Sequence, residues 1–351
     1  EARQTIKHLV ADGRYDYIET GSLISIKENV KNILIPSEEH SINMHPLDFE
    51  EFLWWIGEND FAELIKDHYL KKQPLEDRDH HKAMVLFRKY MIIGGMPESV
   101  KLFIENKFRY EESDNKKLEI LDLYKKDIKK IKYAYRTKIL TLFESIPAFL
   151  SKHDKRIVYD EIKKGSHSNS YIDVVFWLAD SKIINQCYAI NDPNVAIKLS
   201  IEYNCFKTYL CDTGLLFTLT FNTGVTNKDE LYKQIFNDNL QINEGMFFEN
   251  AVAQALVANG FDLVFYKHYN ALKHRNDIEI DFIITFPYKN KIKISPLEVK
   301  SSKHYRTNSL FKFNTKYKDR IGYSFVVHTK NFKTEDNIIY LPIYMMFCLK
   351  Q

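Results

Sequence analysis

The chain has 351 residues, with 50 Lys and Arg against 47 Asp and Glu, a formal net charge of +3 and 45% hydrophobic residues. That length exceeds one ordinary core and implies two or three domains, and the near-balanced charge excludes a polycation gripping nucleic acid over its whole surface. The longest apolar run, residues 341–349, is far short of the roughly 20 residues a membrane span needs, so no membrane partner is expected. The four cysteines, Cys187, Cys205, Cys211 and Cys348, lack CxxC spacing and read as buried thiols of a cytoplasmic protein.

In chain order, residues 1–9 predict a helix with Ile6, Leu9 and Val10 on its apolar side. Residues 14–22 predict a strand ending in Thr20-Gly21-Ser22, and Pro46-Leu47-Asp48-Phe49-Glu50-Glu51-Phe52 follows. Residues 61–90 read as helix with a polar break around 72–77. His80 and His81 inside it are adjacent, so they do not share a helix face and are expected as a solvent-facing pair, not a metal site. Gly94-Gly95-Met96-Pro97 predicts a turn between helices, with Pro97 in the first turn of the next. Residues 107–150 are charged helix whose alternating signs suit solvated faces.

Residues 156–184 give helix, turn, helix and strand, a winged-helix pattern. The second helix of a DNA reader presents Arg, Lys, Asn or Gln to base edges. Between Ser168 and Asp180 there is no Lys or Arg, so a structural or interdomain role is expected. Phe206-Lys207-Thr208-Tyr209-Leu210-Cys211-Asp212-Thr213-Gly214-Leu215-Leu216 predicts a strand running into a helix capped by Asp212 or Thr213. Residues 222–239 read as a polar linker.

The C-terminal third carries the chemistry. A helix over 243–256 presents Phe248, Val252 and Leu256 on one stripe and holds Glu249, with Glu244 as a second acidic position. Ile278-Glu279-Ile280-Asp281-Phe282-Ile283-Ile284 and Pro296-Leu297-Glu298-Val299-Lys300 alternate apolar and charged residues, so both read as strands of one hairpin. Pairing Phe286 with Lys291 sets Asp281 opposite Pro296, and Glu279 opposite Glu298. Two or three carboxylates then share a sheet face with the Lys300 ammonium, an arrangement that like-charge repulsion disfavours unless a cation compensates. Strands at 263–268, 323–328 and 338–341 complete the sheet. Between residues 286 and 336 twelve basic side chains meet four acidic ones, which suits a phosphate backbone as well as a solvated surface.

The Asp281…Glu298-x-Lys300 spacing, preceded by the acidic helix, resembles the PD-(D/E)xK nuclease-like core. The resemblance implies Glu249, Asp281 and Glu298 as ligands of Mg²⁺ or Mn²⁺, and Asp281, Glu298 and Lys300 as catalytic residues, with Lys300 at the attacking water. Along the rest of the chain the T-G-S strand end, the P-L-x-F-x-E-F segment, the G-G-M-P turn, Tyr124-Lys125-Lys126-Asp127 and the F-K-x-Y-x-x-D-x-G-L-L segment resemble prokaryotic AAA-type ATPases that carry a C-terminal domain of unknown function. That resemblance implies Thr20 or Ser22 as the residue facing the γ-phosphate. The loop G-x-x-x-x-G-K-[ST] occurs nowhere in the sequence, so ATP is expected as a cofactor only of a longer chain that includes it.

The expected architecture is α/β and multidomain. Residues 1–60 would be the C-terminal part of an AAA-type core, 61–150 a helical lid or linker region, 151–239 a winged-helix-like domain, and 240–351 an αβββαβ nuclease-like domain. The functions in view are an AAA-type ATP-binding protein acting on, or regulated by, nucleic acid, a Mg²⁺-dependent DNA nuclease, and a catalytically silent binding module. DNA or RNA is the expected partner of the basic 286–336 region, with a protein partner or a second copy of the chain as the other.

Overall fold

The computed structural model describes residues 9–18, 40, 42–131, 133–152, 154–157, 171–221, 232, 244–270 and 275–351. These form a mixed α/β structure with two mixed sheets, ten α-helices and two short 3-10 turns among the described residues.

Helix α1 (Phe49–Trp55) starts at a reciprocal cap. The Glu51 amide donates to Asp48 Oδ1 at 2.8 Å, and the Asp48 amide donates to Glu51 Oε2 at 2.9 Å. Helices α2 (Asn59–Lys71) and α3 (Asp77–Ile93) are separated where the polar break was expected, with Lys72 left-handed at φ 54° and Pro74 just beyond. Helix α3 stops at Gly94, and α4 (Pro97–Glu105) starts on its proline. The charged stretch forms α5 (Tyr110–Lys129) and α6 (Tyr133–Leu150), followed by α7 (Ile172–Asp180).

The first sheet has the order β2-β1-β3-β4, from β1 (Ile184–Ile190), β2 (Ile201–Leu210), β3 (Val264–Asn270) and β4 (Arg275–Ile280). β1 pairs antiparallel with β2 and parallel with β3, so this sheet joins strands on both sides of residue 240. Helix α8 (Thr213–Phe221) follows β2, capped by Asp212 Oδ1, which accepts from the Leu215 amide at 2.8 Å. Helix α9 (Glu244–Ala258) precedes β3.

The second sheet has the order β5-β6-β7-β9-β8. β5 (Phe282–Tyr288) and β6 (Lys291–Val299) form the hairpin. Helix α10 (Asn308–Lys316) crosses over to β7 (Ser324–His328), which runs parallel to β6, and β8 (Lys333–Glu335) and β9 (Ile338–Pro342) complete the sheet.

Side-chain alternation divides the packing. Phe282, Ile284 and Leu297 face the core shared with Phe248 and Val252 of α9, whereas Ile283 and Val326 pack with Leu310 and Phe313 of α10. Each such buried side chain contributes roughly 1.5–3 kcal/mol. The N-terminal helices share the first of these cores. The ring of Phe49 lies 5.1 Å from Phe87, and 6.2 Å from Phe347 near the C-terminus.

Three expectations need correction. The hairpin register is two residues away from the one inferred, since Tyr288, not Phe286, pairs with Lys291, and Phe282 pairs with Leu297. The tighter turn at Lys289 and Asn290, with Lys289 at φ 54°, accounts for the shift. A shift of two keeps every side chain on its face, but it brings Asp281 level with Glu298 instead of Pro296. Second, residues 278–284 are not one strand. The chain leaves β4 and enters β5 at Asp281, changing sheets there, so Glu279 pairs with Lys267 of β3 and not with Glu298. Third, residues 14–18 form no strand. Tyr15 and Ile18 are 70% and 92% exposed, and among the described residues no strand pairs with this segment. Thr20 and Ser22 lie outside the described residues, as do 158–170 of the winged-helix reading and all of the 222–239 linker except residue 232.

Candidate functional site

The change of sheet at Asp281 places a carboxylate at a point where neither ladder continues. Its Oδ2 accepts the Val299 backbone N–H at 2.8 Å, so Asp281 closes the end of the β5–β6 hairpin against the residue between Glu298 and Lys300. Glu298 is 2% exposed, on the face of β6 that α10 covers. The Leu310 amide in the first turn of α10 donates toward it, and Lys300 Nζ stands 3.2 Å from its Oε2. Lys300 keeps 24% of its side chain exposed and is the open side of the site.

Burial pushes the Glu298 carboxyl up to about 7, with the Asp281 charge adding to the rise and Lys300 opposing it. Asp281 is raised as well, first by burial and then by the charge of Glu249, with the Lys207 and Lys155 ammonium groups and the Val299 amide opposing.

Glu249 is 3% exposed and approaches from the other face, on α9. The Lys155 ammonium and the Tyr209 hydroxyl both hydrogen-bond to it, and Lys207 Nζ lies 3.6 Å from its Oε1. Burial alone would raise this carboxyl, but Lys155 and Lys207 outweigh it and hold it to about 2. Lys207 is itself 1% exposed, 3.4 Å from Glu279 Oε1 and 4.8 Å above the Phe265 ring. Burial favours its neutral form, but Glu249, Asp281 and Glu279 more than compensate and keep it charged.

The structure therefore brings Asp281, Glu298 and Lys300 together. It places Glu249 beside Asp281 but on the opposite face from Glu298, occupied by partners of its own. Among the described residues no group of three or more His, Cys, Asp and Glu side chains is arranged to hold a metal ion. Glu249, Glu279, Asp281 and Glu298 share Lys155, Lys207 and Lys300, four carboxylates against three ammonium groups, with Lys155 and Lys207 acting on Asp281 and Lys300 on Glu298. The cluster is one positive charge short, and Asp281 with the buried Glu298 is the pair that would take Mg²⁺, which binds through one or two carboxylates and retains waters and substrate oxygens.

Sequence reading missed Lys155, Lys207 and Tyr209. A lysine within the otherwise apolar end of β2, two residues before an inward tyrosine, was the available signal for Lys207 and Tyr209. Lys155 lies in a connection and carries no pattern.

A second buried polar cluster does structural work. Asp212 Oδ2 accepts the Gly95 amide at 2.6 Å, while Gln254 of α9 accepts the Thr213 amide at 2.9 Å and donates to the Tyr90 hydroxyl at 2.9 Å. The G-G-M-P turn, the start of α8 and helix α9 are thereby fastened to one another.

Mixed α/β layers with a polar cluster at a change of sheet define a class of architecture, and comparison with known families places parts of the chain more closely. Residues 84–229 match a domain of unknown function, DUF8612, and residues 244–346 match a domain of unknown function, DUF4143. DUF4143 is commonly associated with the C-termini of AAA-type ATPases. No curated protein and no solved structure matches the chain. Among the described residues no helix is long and apolar enough to cross a membrane.

Proposed function

We propose that this chain is the C-terminal portion of an AAA-type ATP-binding protein and that residues 240–351 act on nucleic acid through a metal-dependent, nuclease-like site. The observation that carries the reading is the seating of Asp281 against Val299 at 2.8 Å, between Glu298 and Lys300. The order acidic helix, hairpin, crossover helix and parallel strand supports the same reading.

Asp281 and Glu298 would hold Mg²⁺ or Mn²⁺, which when bound polarises a phosphoryl oxygen and lowers the pKa of a coordinated water. The Val299 amide orients Asp281, and the first turn of α10 orients Glu298. The Lys300 ammonium, partly open to solvent, positions the attacking water and offsets negative charge developing on the phosphate. From Lys300 to Lys318 the chain carries six Lys and Arg residues and no acidic one, which suits a phosphate backbone approaching from the Lys300 side. ATP use is assigned to the region of such proteins that bears the phosphate-binding loop. A silent nucleic-acid-binding role for the same region is the second reading, favoured by the occupation of Glu249 by two ammonium groups and a phenol.

Incubation of the chain with circular and linear DNA in Mg²⁺, and in a chelator, tests the proposal. Mg²⁺-dependent cleavage that disappears in Lys300→Ala is the expected result. Binding of both DNAs with no cleavage under any divalent ion would leave the silent module as the function.

A further inference from the structure

Strand β1 has neighbours on both sides for only part of its length. β2 runs beside all of it, from Ile184 opposite Leu210 to Ile190 opposite Ile201, whereas β3 pairs only with Tyr188, Ala189 and Ile190. On the β3 side the Tyr188 amide donates to the Leu263 carbonyl at 3.2 Å. Backbone groups alternate sides along a strand, so the N–H and C=O of Ile184 and Gln186 point the same way as those of Tyr188. Among the described residues no strand pairs with 184–187 on that side. Such an open edge is a template for another chain, and at four residues it spans roughly 13 Å.

The edge borders a cavity of about 260 Å³. Ile184, Val257, Phe261 and Leu263 give the cavity an apolar wall, and Lys182 and His45 also line it. Lys182 takes left-handed backbone just past the end of α7, with φ 58°. Glycine is the usual residue there, so a charged side chain stands where the usual residue would leave none. Among the described residues Lys182 makes no ion pair. Burial, and then the Lys182 charge, holds the His45 imidazole below its usual value, so Lys182 carries the positive charge of this end. Asp262, beside Leu263 where β3 approaches β1, lines the cavity too and lies 3.5 Å from Lys198.

We propose that the open edge of β1 docks the C-terminal end of an extended peptide, which adds as a short strand antiparallel to β1 with its carboxylate at Lys182. Main-chain hydrogen bonds to Gln186 supply affinity that does not depend on sequence. The wall of Val257 and Phe261 receives an apolar side chain at or beside the terminus, and the Lys182 ammonium separates a free chain end from an internal segment. The antiparallel direction follows from the charges, because it sets the carboxylate at Lys182 and the rest of the peptide toward Asp262. No metal ion takes part, so the outcome is independent of the reading of Asp281 and Glu298.

Fluorescence anisotropy with the whole chain, in chelator, tests the proposal. The probe is a fluorescein-labelled tetrapeptide pool, randomised at the first three positions and ending in valine. The free-acid pool is expected to bind at least about tenfold tighter than the same pool ending in carboxamide, and Lys182→Gln to erase that difference. A pool with methylated backbone nitrogens is expected not to bind, a readout that leaves the protein unchanged. No binding of the free-acid pool, equal binding of acid and amide, or an undiminished difference in Lys182→Gln overturns the proposal. Full binding of the methylated pool, or acetate competing as well as the unlabelled peptide acids, would mark a simple anion site and overturn strand addition.

Discussion

The Val299 backbone N–H donates to Asp281 Oδ2 at 2.8 Å, which ties the point where the chain changes sheets to the strand that carries Glu298 and Lys300. The carboxylate has two separable roles, closing the hairpin and contributing charge to the site. Asp281→Asn keeps an acceptor oxygen for Val299 and is expected to unfold in urea within about 1 kcal/mol of the wild type. Asp281→Ala leaves the amide without its partner and is expected to lose about 1–3 kcal/mol. Equal losses in the two variants would show that charge, not the hydrogen bond, fixes the corner.

Acidity should act on Glu298 in a definite direction. Its folded-state value is raised to about 7 from an ordinary 4.5, chiefly by burial, so the folded protein binds the proton more tightly than the unfolded chain. The resulting stabilisation is present below about pH 4.5 and is lost as the pH rises through 7, a difference on the order of 2–3 kcal/mol. Denaturation at pH 5 and pH 8 should show this difference in the wild type relative to Glu298→Gln. Burial holds His328 down to about 4, and it contributes in the opposite sense as it is protonated, but equally in both proteins. A wild type and variant with identical pH dependence would contradict the assignment.

Lys207 supplies the sharpest stability prediction in metal-free buffer. Lys207→Ala leaves Glu249 and Glu279 without a shared counter-ion, and removing one partner of a buried pair costs about 3–5 kcal/mol. Urea denaturation measures it. A loss below about 1 kcal/mol would mean that solvent or Lys155 compensates.

The turn at Gly94 and Gly95 is predicted to be intolerant of side chains. Gly94 has φ +80°, and a Cβ on it would lie 2.2 Å from Asp212 Oδ1. A Cβ on Gly214 would lie 2.5 Å from the Gly94 nitrogen and the Ile93 carbonyl, both backbone atoms with little freedom to move. Gly94→Ala and Gly214→Ala are each expected to lose about 1–3 kcal/mol, read as a lowered Tm.

Much of this architecture is legible in the sequence because local rules agree with the final packing. Pro97, the polar break at 72–77 and the capping Asp212 each fix a boundary without help from distant residues. The alternation in 278–284 puts Ile278, Ile280, Phe282 and Ile284 on one face, yet Ile278 and Ile280 pack in the core with Leu310 and Phe313 while Phe282 and Ile284 pack in the core with Phe248 and Val252. It is silent on the change of sheet at Asp281, because Ile280 and Phe282 are buried in both ladders they border, and the pattern of faces does not record which strand lies alongside. The hairpin register depends on the two-residue turn at Lys289 and Asn290, which lacks the Asn-Gly or Asp-Gly signature. The partners of Glu249 come from residues 40 and more positions away in sequence, and no spacing rule brings Lys155, Lys207 and Tyr209 to one carboxylate.

The central claim is that Asp281 and Glu298 hold a divalent cation beside Lys300. Calorimetric titration with Mn²⁺ of the wild type, Asp281→Asn and Glu298→Gln at pH 8 tests it most directly, because Glu298, raised to about 7, is then mostly ionised and both variants retain the shape of the site. Binding in the wild type that weakens at least about tenfold, or roughly 1.4 kcal/mol, in each variant is the predicted result. Unchanged affinity in both variants, or no binding by the wild type, would contradict it.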